Sequence, residues 1–141
     1  MKTIAFFAVC VWSCVAWGEE TYSRDGVWKP IAAVLGGLKL PDEAVKAITL
    51  KITVDKYEVT VGGENHSDKG TCTVDTTTTP HRMTIKSEEG ANKGKTFLAI
   101  YQMKDEASMS VCYDLAGKEF PTEFKAPEGT QLYLAEYRRQ N

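Results

Sequence analysis

From Trp28 onward, apolar and polar residues alternate along most of the chain, and many of the apolar ones are β-branched or aromatic. An alternation with a period of two is typical of strands that bury one face, and short runs of Gly, Pro, Asn and Asp mark turns between them. The pattern predicts eight strands, which read VWKPIAAVLGG, TLKITVD, KYEVTVGG, GTCTVDTT, RMTIKSEEG, KTFLAIYQM, SMSVCYDL and TQLYLAEYRR.

The segments between these strands are predicted to be turns and loops, with one helix. LPDEAVKAI is predicted to be a helix of about two turns, because Pro41 and Asp42 suit a helix start and Glu43 adds negative charge there. Asp55-Lys56 is the predicted two-residue turn between the second and third strands, although it lacks the usual glycine. GENHSD is predicted to be a polar loop, and AGKEFPTEFKAPEG a longer loop before the last strand.

Strands that follow one another at a spacing of about ten residues, mostly through short turns, favour an antiparallel architecture. The predicted fold is all-β: an eight-stranded antiparallel up-and-down barrel with one short helix after the first strand. Closing the sheet removes the unpaired edges that invite aggregation. Eight strands leave an interior that side chains just fill, or that holds one small ligand.

One face of each strand is predicted to line the barrel interior, which gives this set: Leu50, Ile52, Tyr57, Val59, Cys72, Val74, Met83, Ile85, Phe97, Ala99, Tyr101, Met109, Val111, Tyr113, Leu132 and Leu134. Within it, the candidate ligand contacts are Tyr57, Val59, Met83, Phe97, Tyr101, Met109, Tyr113 and Leu132. The three tyrosine hydroxyls need partners if they are buried. These hydroxyls either contact a polar ligand in the interior or, in the interpretation we favour, reach water at the barrel rim.

The first residues are predicted to be an export signal. Lys2 precedes the apolar run IAFFAVCVWSCVAW, which is too short to span a hydrocarbon layer of ~30 Å comfortably. Ala16 and Gly18 are small residues at the two positions that define a cleavage site. We therefore predict a signal peptide at residues 1–18, a barrel domain at 19–141, and an exported protein, periplasmic or secreted. The alternative is lipidation at Cys14, in VWSC, which would anchor a lipoprotein to the membrane.

The charge distribution argues against two kinds of partner. The chain has 17 Lys and Arg against 19 Asp and Glu, a formal net charge of −2, and loss of a leader whose one charged residue is Lys2 makes it −3. Charges of both signs are scattered, so neither a nucleic-acid-binding surface nor a polybasic membrane patch is predicted. We expect a monomer without a nucleic-acid partner, and the sequence identifies no protein partner.

Cleavage would remove Cys10 and Cys14 and leave Cys72 and Cys112, and an exported compartment permits a disulfide between them. The strand pattern argues against it. Cys72 shares the inward face with Val74, whereas Cys112 lies on the opposite face from its neighbours. Their strands also stand three spacings apart, ~14 Å, and a disulfide needs Cα atoms within ~7 Å. No disulfide is predicted.

Catalytic and metal chemistry are not predicted. The two histidines are His66 and His81, and His66 stands beside Glu64 and Asp68 in a loop without the converging, closely spaced ligands of a metal site. No nucleophile, zinc or phosphate-loop motif is present. Surface solvation explains the one carboxylate cluster, Asp114, Glu119 and Glu123. The sequence therefore predicts neither enzymatic activity nor a metal or cofactor.

Four segments, in the same order and with matching spacing, resemble a lipocalin-like domain family that is common in planctomycete bacteria: GVWKPIAAVLGGLKLPDEAVK, DKYEVTVGG, GANKGKTFLAIYQM and GKEFPTEF. The resemblance covers roughly residues 26–139. It implies a barrel and a secreted or envelope setting, and that family has no established activity. The later Thr-Asp-Tyr type motif of lipocalins proper is absent from this chain.

The Gly-x-Trp triplet at Gly26 to Trp28 also resembles the opening of lipocalins. There the tryptophan packs across the closed end of the barrel, beneath an arginine of the last strand. The resemblance implies a structural plug made of Gly26, Trp28 and either Arg138 or Arg139. The other interpretation, that Trp28 forms a wall of a ligand cavity, fits less well because this end of the barrel is closed.

Two functions from different classes are consistent with these features. The first is a non-catalytic barrel that binds a small apolar or amphipathic ligand in its interior. The alternative is an envelope interaction module or hydrolase inhibitor that acts through its loops, since Phe120 and Phe124 flank Pro121 and exposed aromatics mark binding patches. A cavity of about 300 Å³ or more that opens at one end favours the first function. A filled barrel with an apolar loop patch favours the second.

Overall fold

A computed structural model of the chain describes residues 22–62 and 67–141. The predicted leader, with Cys10 and Cys14, and the loop residue His66 lie outside these ranges. Within them the chain forms nine strands and one short helix: β1 (Gly26–Leu35), β2 (Leu38–Lys39), α1 (Asp42–Lys46), β3 (Ile48–Thr53), β4 (Lys56–Val61), β5 (Ser67–Asp75), β6 (His81–Glu89), β7 (Thr96–Asp105), β8 (Ser108–Asp114) and β9 (Leu132–Gln140).

Eight of these strands form a closed antiparallel barrel. From β3 to β9, each strand pairs with the next along the chain, and β1 pairs with both β3 and β9. The β1–β9 pairing closes the barrel and runs from Val27 opposite Gln140 to Leu35 opposite Tyr133. The predicted all-β, eight-stranded up-and-down barrel with one short helix is therefore confirmed.

The segment after β1 is more elaborate than the sequence predicts. Gly36 and Gly37 both have positive φ, and this turn folds the two-residue strand β2 back along β1. Helix α1 has five residues, so it is shorter than the two turns predicted. β1 and β3 pair over only three positions near Trp28, and α1 packs its buried Val45 beside β1 where the two strands diverge.

The turn between β3 and β4 is Val54-Asp55, so the predicted Asp55-Lys56 turn is wrong by one residue. The observed turn pairs Ile52 with Tyr57, which brings both apolar side chains inside the barrel. Val54 has a φ of 58°, which is unusual for a β-branched residue. The carboxylate of Asp25 accepts a hydrogen bond of 2.8 Å from the Val54 backbone N–H and holds the turn.

Strand β5 begins earlier than predicted. It starts at Ser67, inside the segment GENHSD that was predicted to be a loop, and it pairs Asp68 with Val59. Because side chains alternate along a strand, Asp68 lies on the same face as Gly70 and Cys72. Cys72 belongs to the barrel core, so this face points inward. The earlier start therefore brings a carboxylate into the barrel lining.

The barrel core follows the predicted inward face except at Val74 and in the last strand. Val74 is 37% exposed near the end of β5 and lies outside the core, so its prediction as an interior residue is wrong. In β9 the inward residues are Tyr133, Ala135 and Tyr137, so the prediction of Leu132 and Leu134 is wrong. Both faces of this strand are apolar near its start, which makes the alternation ambiguous. Pairing resolves it, because Tyr133 and Ala135 stand opposite the core residues of β8.

The long loop between β8 and β9 covers part of the outer wall. Ile100 and Cys112 alternate with inward residues, so they face outward, yet they are completely buried. The Cys112 thiol donates a hydrogen bond of 3.3 Å to the carbonyl of Lys125 in this loop. The guanidinium of Arg82 stacks over Phe120 at 4.6 Å. The loop thus covers apolar residues on the outer face of the barrel. Leu134, which stands opposite Cys112, points to this outer side as well.

The predicted absence of a disulfide is confirmed, since Cys72 and Cys112 are both free. Cys72 lies inside the barrel and Cys112 on its outer wall, on strands separated by β6 and β7. Burial raises the pKa of both thiols.

Candidate ligand-binding cavity

One end of the barrel is closed by Trp28, which has no exposed surface. Its indole Nε1 donates a hydrogen bond of 2.9 Å to the carbonyl of Arg24. The guanidinium of Arg139 lies 4.4 Å from the ring centroid, and such a stack is worth ~0.5–2 kcal/mol. Arg139 also donates to the backbone carbonyls of Ser23, Asp25 and Glu106. Trp28 and Arg139 therefore seal this end together.

Of the other two predicted plug residues, Gly26 belongs to the plug and Arg138 does not. Arg138 alternates with Arg139 along β9, so it is exposed on the outer face, and its prediction as a plug residue is wrong. Gly26 has a φ of 135°, and a Cβ atom there would lie 2.7 Å from Nη1 of Arg139. Glycine at this position lets the guanidinium reach the indole.

A second cation, Arg24, closes the same end and was missed by the sequence analysis, because no motif marks it. Its Nη1 lies 3.7 Å from Sγ of Cys72 and 4.0 Å from Sδ of Met83, and the guanidinium lies 5.7 Å from the ring centroid of Tyr101. A groove of about 640 Å³ lies outside this closure, with Val74 and Tyr101 in its lining. Tyr101 is thus a core residue at the closed end, and its prediction as a contact in the interior cavity is wrong.

The interior holds a cavity of about 200 Å³. Six of the eight predicted contacts line it: Tyr57, Val59, Met83, Phe97, Met109 and Tyr113. Leu132 does not, because it faces outward. The remaining lining residues are Ile48, Leu50, Ile52, Val61, Asp68, Cys72, Ile85, Val111, Leu115, Tyr133 and Tyr137. Apart from Asp68 and the tyrosine hydroxyls, the wall is apolar.

The cavity opens at the end opposite Trp28. Its deep lining residues, such as Met109 and Val111, are fully buried, whereas Ile48 and Leu115 are half-buried and Val61 is 47% exposed. These last three stand at the ends of strands, on the side away from the plug. We call this end the mouth.

Two tyrosines form a polar pair inside the apolar wall. The hydroxyls of Tyr113 and Tyr137 lie 2.8 Å apart and hydrogen-bond to each other. The ring of Tyr113 also stacks on Tyr133, with 5.5 Å between centroids. The favoured prediction that the tyrosine hydroxyls reach water at the rim is wrong for Tyr113. Tyr133 and Tyr137 were not predicted as lining residues because the opposite face of the last strand was predicted to point inward.

A second polar group surrounds Asp68. Its carboxylate accepts hydrogen bonds from the Ser87 hydroxyl at 2.5 Å, the Tyr57 hydroxyl at 3.3 Å and the Asn92 amide at 3.3 Å. The rim prediction therefore fails for Tyr57 as well. Sequence analysis missed Asp68 as a lining residue because it lay in a predicted loop, although the period-two series of residues 68, 70, 72 and 74 marks one face.

Alkaline pH is expected to unfold the protein as its tyrosines ionise. Burial is the main cause that raises the pKa of five tyrosines: Tyr57, Tyr101, Tyr113, Tyr133 and Tyr137. The pKa of Tyr57 rises to about 12. The unfolded chain ionises near pH ~10, so their contribution to stability is complete below that pH and is lost as pH rises through the folded-state values. Absorbance at the phenolate band and circular dichroism should therefore change together above pH ~10. Full tyrosine ionisation near pH ~10 with the barrel intact would contradict this burial.

Asp114 has a structural role that the sequence analysis did not predict. It is buried, and its carboxylate accepts hydrogen bonds from the backbone N–H groups of Ala116, Lys118 and Glu119 at 2.9–3.0 Å. Burial alone would raise the pKa of this carboxyl, but the three donors together lower it. Surface solvation is therefore the wrong explanation for Asp114, which caps the start of the long loop. Glu119 and Glu123 are exposed, as predicted.

In residues 22–62 and 67–141, no three His, Cys, Asp or Glu side chains converge as a metal site would require. The same ranges contain no helix with the length and apolarity needed to cross a membrane. Six carboxylates there accept hydrogen bonds within the fold: Asp25, Asp68, Asp75, Asp105, Asp114 and Glu136.

Comparison with known proteins adds no assignment. No family model matches the chain, and no curated protein matches it. The resemblance to the lipocalin-like family accordingly stays a prediction that depends on the four sequence segments.

Proposed function

We propose that this protein binds a small, mainly apolar molecule in the interior of its barrel and carries out no catalysis. The observation that supports this most directly is the cavity itself, which reaches from the mouth toward Trp28 and has an almost wholly apolar wall. Burial of apolar surface in such a cavity drives binding. The predicted export signal at residues 1–18 supports a role in the periplasm or outside the cell, with a lipoprotein anchored at Cys14 as the alternative.

The cavity volume limits the ligand. At about 200 Å³ it is smaller than the ~300 Å³ at the lower end of drug-sized pockets. An engineered apolar cavity of ~150 Å³ binds benzene, however, so the volume here suits a single ring with a short chain. The Tyr113–Tyr137 hydroxyl pair and the Asp68 group give such a ligand polar partners, which favours an amphipathic molecule.

The loop-based alternative has less support. Pro121 is buried, Phe120 lies under Arg82 of β6, and Phe124 is half-buried, so these three residues do not form an exposed aromatic patch. Covering apolar residues of the barrel wall is a structural role that explains this loop without a binding partner. We therefore do not propose an interaction module or inhibitor that acts through this loop.

Blocking the cavity from the mouth tests the proposal. Val59 is half-buried in the lining, and Val59→Trp should fill the space that a ligand needs. The matched control is Thr60→Trp, because the next residue of β4 points out of the barrel. Calorimetric titrations would use benzene, toluene and phenethyl alcohol on the folded proteins.

We expect saturable binding of at least one of these compounds by the wild type and by Thr60→Trp. Val59→Trp should bind it about tenfold more weakly or worse, a loss of ~1.4 kcal/mol or more. Binding by none of the three compounds, or equal binding by the two tryptophan variants, would overturn the proposal.

A further inference from the structure

The carboxylate of Asp68 is an unusual member of an apolar lining. It is half-buried, it lines the cavity, and it receives its three hydrogen bonds from uncharged groups. In the part of the chain that the structure describes, the one ion pair joins Lys125 to Glu123 at the surface. No cationic side chain of that part therefore lies within 4.0 Å of Asp68.

The three donors hold the carboxylate in place but do not neutralise it. Ser87 donates to Oδ1, and Tyr57 and Asn92 donate to Oδ2, so both oxygens are oriented by the surrounding strands and turn. A charge next to an apolar space is costly unless a group of opposite charge accompanies it. A cationic ligand would supply that charge without further rearrangement of the site.

Aromatic rings surround the same space. Five of them line the cavity together with Asp68: Tyr57, Phe97, Tyr113, Tyr133 and Tyr137. The negative face of an aromatic ring attracts ammonium groups, and more strongly when the site is partly dry. A carboxylate with several aromatic walls is thus complementary to a protonated amine on an apolar body.

We infer that the cavity takes a small organic cation, a protonated primary amine whose ammonium group donates to Asp68 and whose single ring or short chain fills the apolar part. The volume of about 200 Å³ limits the body of the ligand to that size. This inference rests on the proposed function, because it names the ligand class of the same cavity.

A purely structural role for Asp68 is the competing explanation, since the carboxylate links β4, β6 and the turn at Asn92. The two explanations differ in what they predict for a matched pair of ligands. Phenethylamine and phenethyl alcohol have the same ring and chain, and at neutral pH they differ in charge. A structural carboxylate gives no reason for the protein to prefer the amine.

The test is a calorimetric titration of the wild type with both compounds, at low ionic strength and again at physiological ionic strength. We expect phenethylamine to bind about tenfold more tightly or better, as a charge-assisted hydrogen bond would give. Asp68→Asn, which keeps the side-chain shape, should remove this preference, so that its affinities for the two compounds lie within about threefold of each other. Asp105→Asn is the matched control, because it removes an exposed carboxylate at the closed end of the barrel and should leave the preference unchanged.

The outcomes separate the two proposals. Equal affinities of the wild type for both compounds would overturn the amine inference and leave the cavity function standing. A preference that persists in Asp68→Asn, or that Asp105→Asn also removes, would equally overturn the assignment to Asp68. If neither compound binds the wild type, the amine inference fails, and the trials with benzene and toluene then decide the proposed function. The wild-type comparison needs no variant, so it holds even if Asp68→Asn does not fold.

Discussion

Replacing Trp28 with alanine is expected to lower the free energy of unfolding by about 3–5 kcal/mol. The side chain has no exposed surface, and its removal leaves a large void where Arg139 and the segment from Ser23 to Asp25 close the barrel. It also leaves the guanidinium of Arg139 without the ring on which it stacks. For a domain of this length, the expected fall in melting temperature is roughly 10–20 °C.

Trp28→Phe is the matched control for this variant. It keeps an aromatic ring beneath Arg139 but removes the indole N–H that donates to the carbonyl of Arg24, so its cost should be clearly smaller than that of alanine. Thermal and urea unfolding of the wild type, Trp28→Phe and Trp28→Ala should rank their stabilities in that order, from highest to lowest. A shift of only a degree or two for Trp28→Ala would contradict the role of Trp28 as the plug.

Replacing Gly70 with alanine is expected to cost about 3 kcal/mol or more, near the upper end for overpacking. A Cβ atom at this buried position would lie 1.9 Å from the backbone carbonyl oxygen of Lys86, in the neighbouring strand β6. The pairing shifts between Lys69 and Gly70, and this bulge brings the two backbones close together. A backbone atom cannot turn aside as a flexible side chain can, so β5 and β6 would have to separate.

The effect of this change should reach the ligand site as well. Gly70 stands between Tyr57 on one side and Ser87 on the other, and both of these donate hydrogen bonds to Asp68. A displacement of β5 here would therefore disturb the oriented carboxylate. Gly94→Ala is the control, because no atom lies within 4 Å of the added Cβ, although Gly94, unlike Gly70, has a positive φ that is unfavourable for alanine.

For Gly94→Ala the expected cost is about 1 kcal/mol, from backbone strain alone. Urea unfolding of the two alanine variants would compare them directly. Equal costs for Gly70→Ala and Gly94→Ala would show that the close approach of β5 and β6 does not determine stability at this position.

The barrel itself could be predicted because two local signals agree along the chain. Alternation predicts the strands, and turn residues mark the connections between them. Most of these connections are so short that consecutive strands have to be antiparallel neighbours. The resemblance to lipocalins added the plug, with Trp28 at the closed end and an arginine of the last strand above it. It could not decide between Arg138 and Arg139, because that choice depends on the face that β9 presents.

The errors on the outer face of the barrel share one cause, because the pattern of a single strand does not show whether another segment covers its outward side chains. Leu132 and Leu134 are half-buried on the outer face of β9, and Leu134 stands beside Cys112, which the long loop covers. Apolar residues therefore occupy both faces of this strand, and alternation alone favoured the wrong side. The same covering explains why Phe120 and Phe124 do not form an exposed patch. Pairing with β8 fixes which face of β9 points inward, and this pairing depends on the whole sheet rather than on the sequence of β9 alone.

The candidate site was only partly predictable for a different reason. Six apolar or aromatic contacts followed from the inward face, but the polar groups depend on hydrogen bonds between strands that are distant in sequence. The sequence pattern places Asp68 in a loop, and only its pairing with Val59 shows that it belongs to β5. The Tyr113–Tyr137 pair likewise joins two different strands, and no spacing along the chain indicates it.

The most direct test of a ligand inside the barrel is to locate it by nuclear magnetic resonance. Toluene and phenethylamine would be added separately to protein labelled at its methyl groups, and transfer of magnetisation from each ligand ring to those methyls would be measured. We predict contacts with the methyl groups of Met83, Met109 and Val111, which line the cavity and are buried. Contacts confined to exposed methyls such as those of Ile31 and Val54, or no contacts at all, would contradict the account.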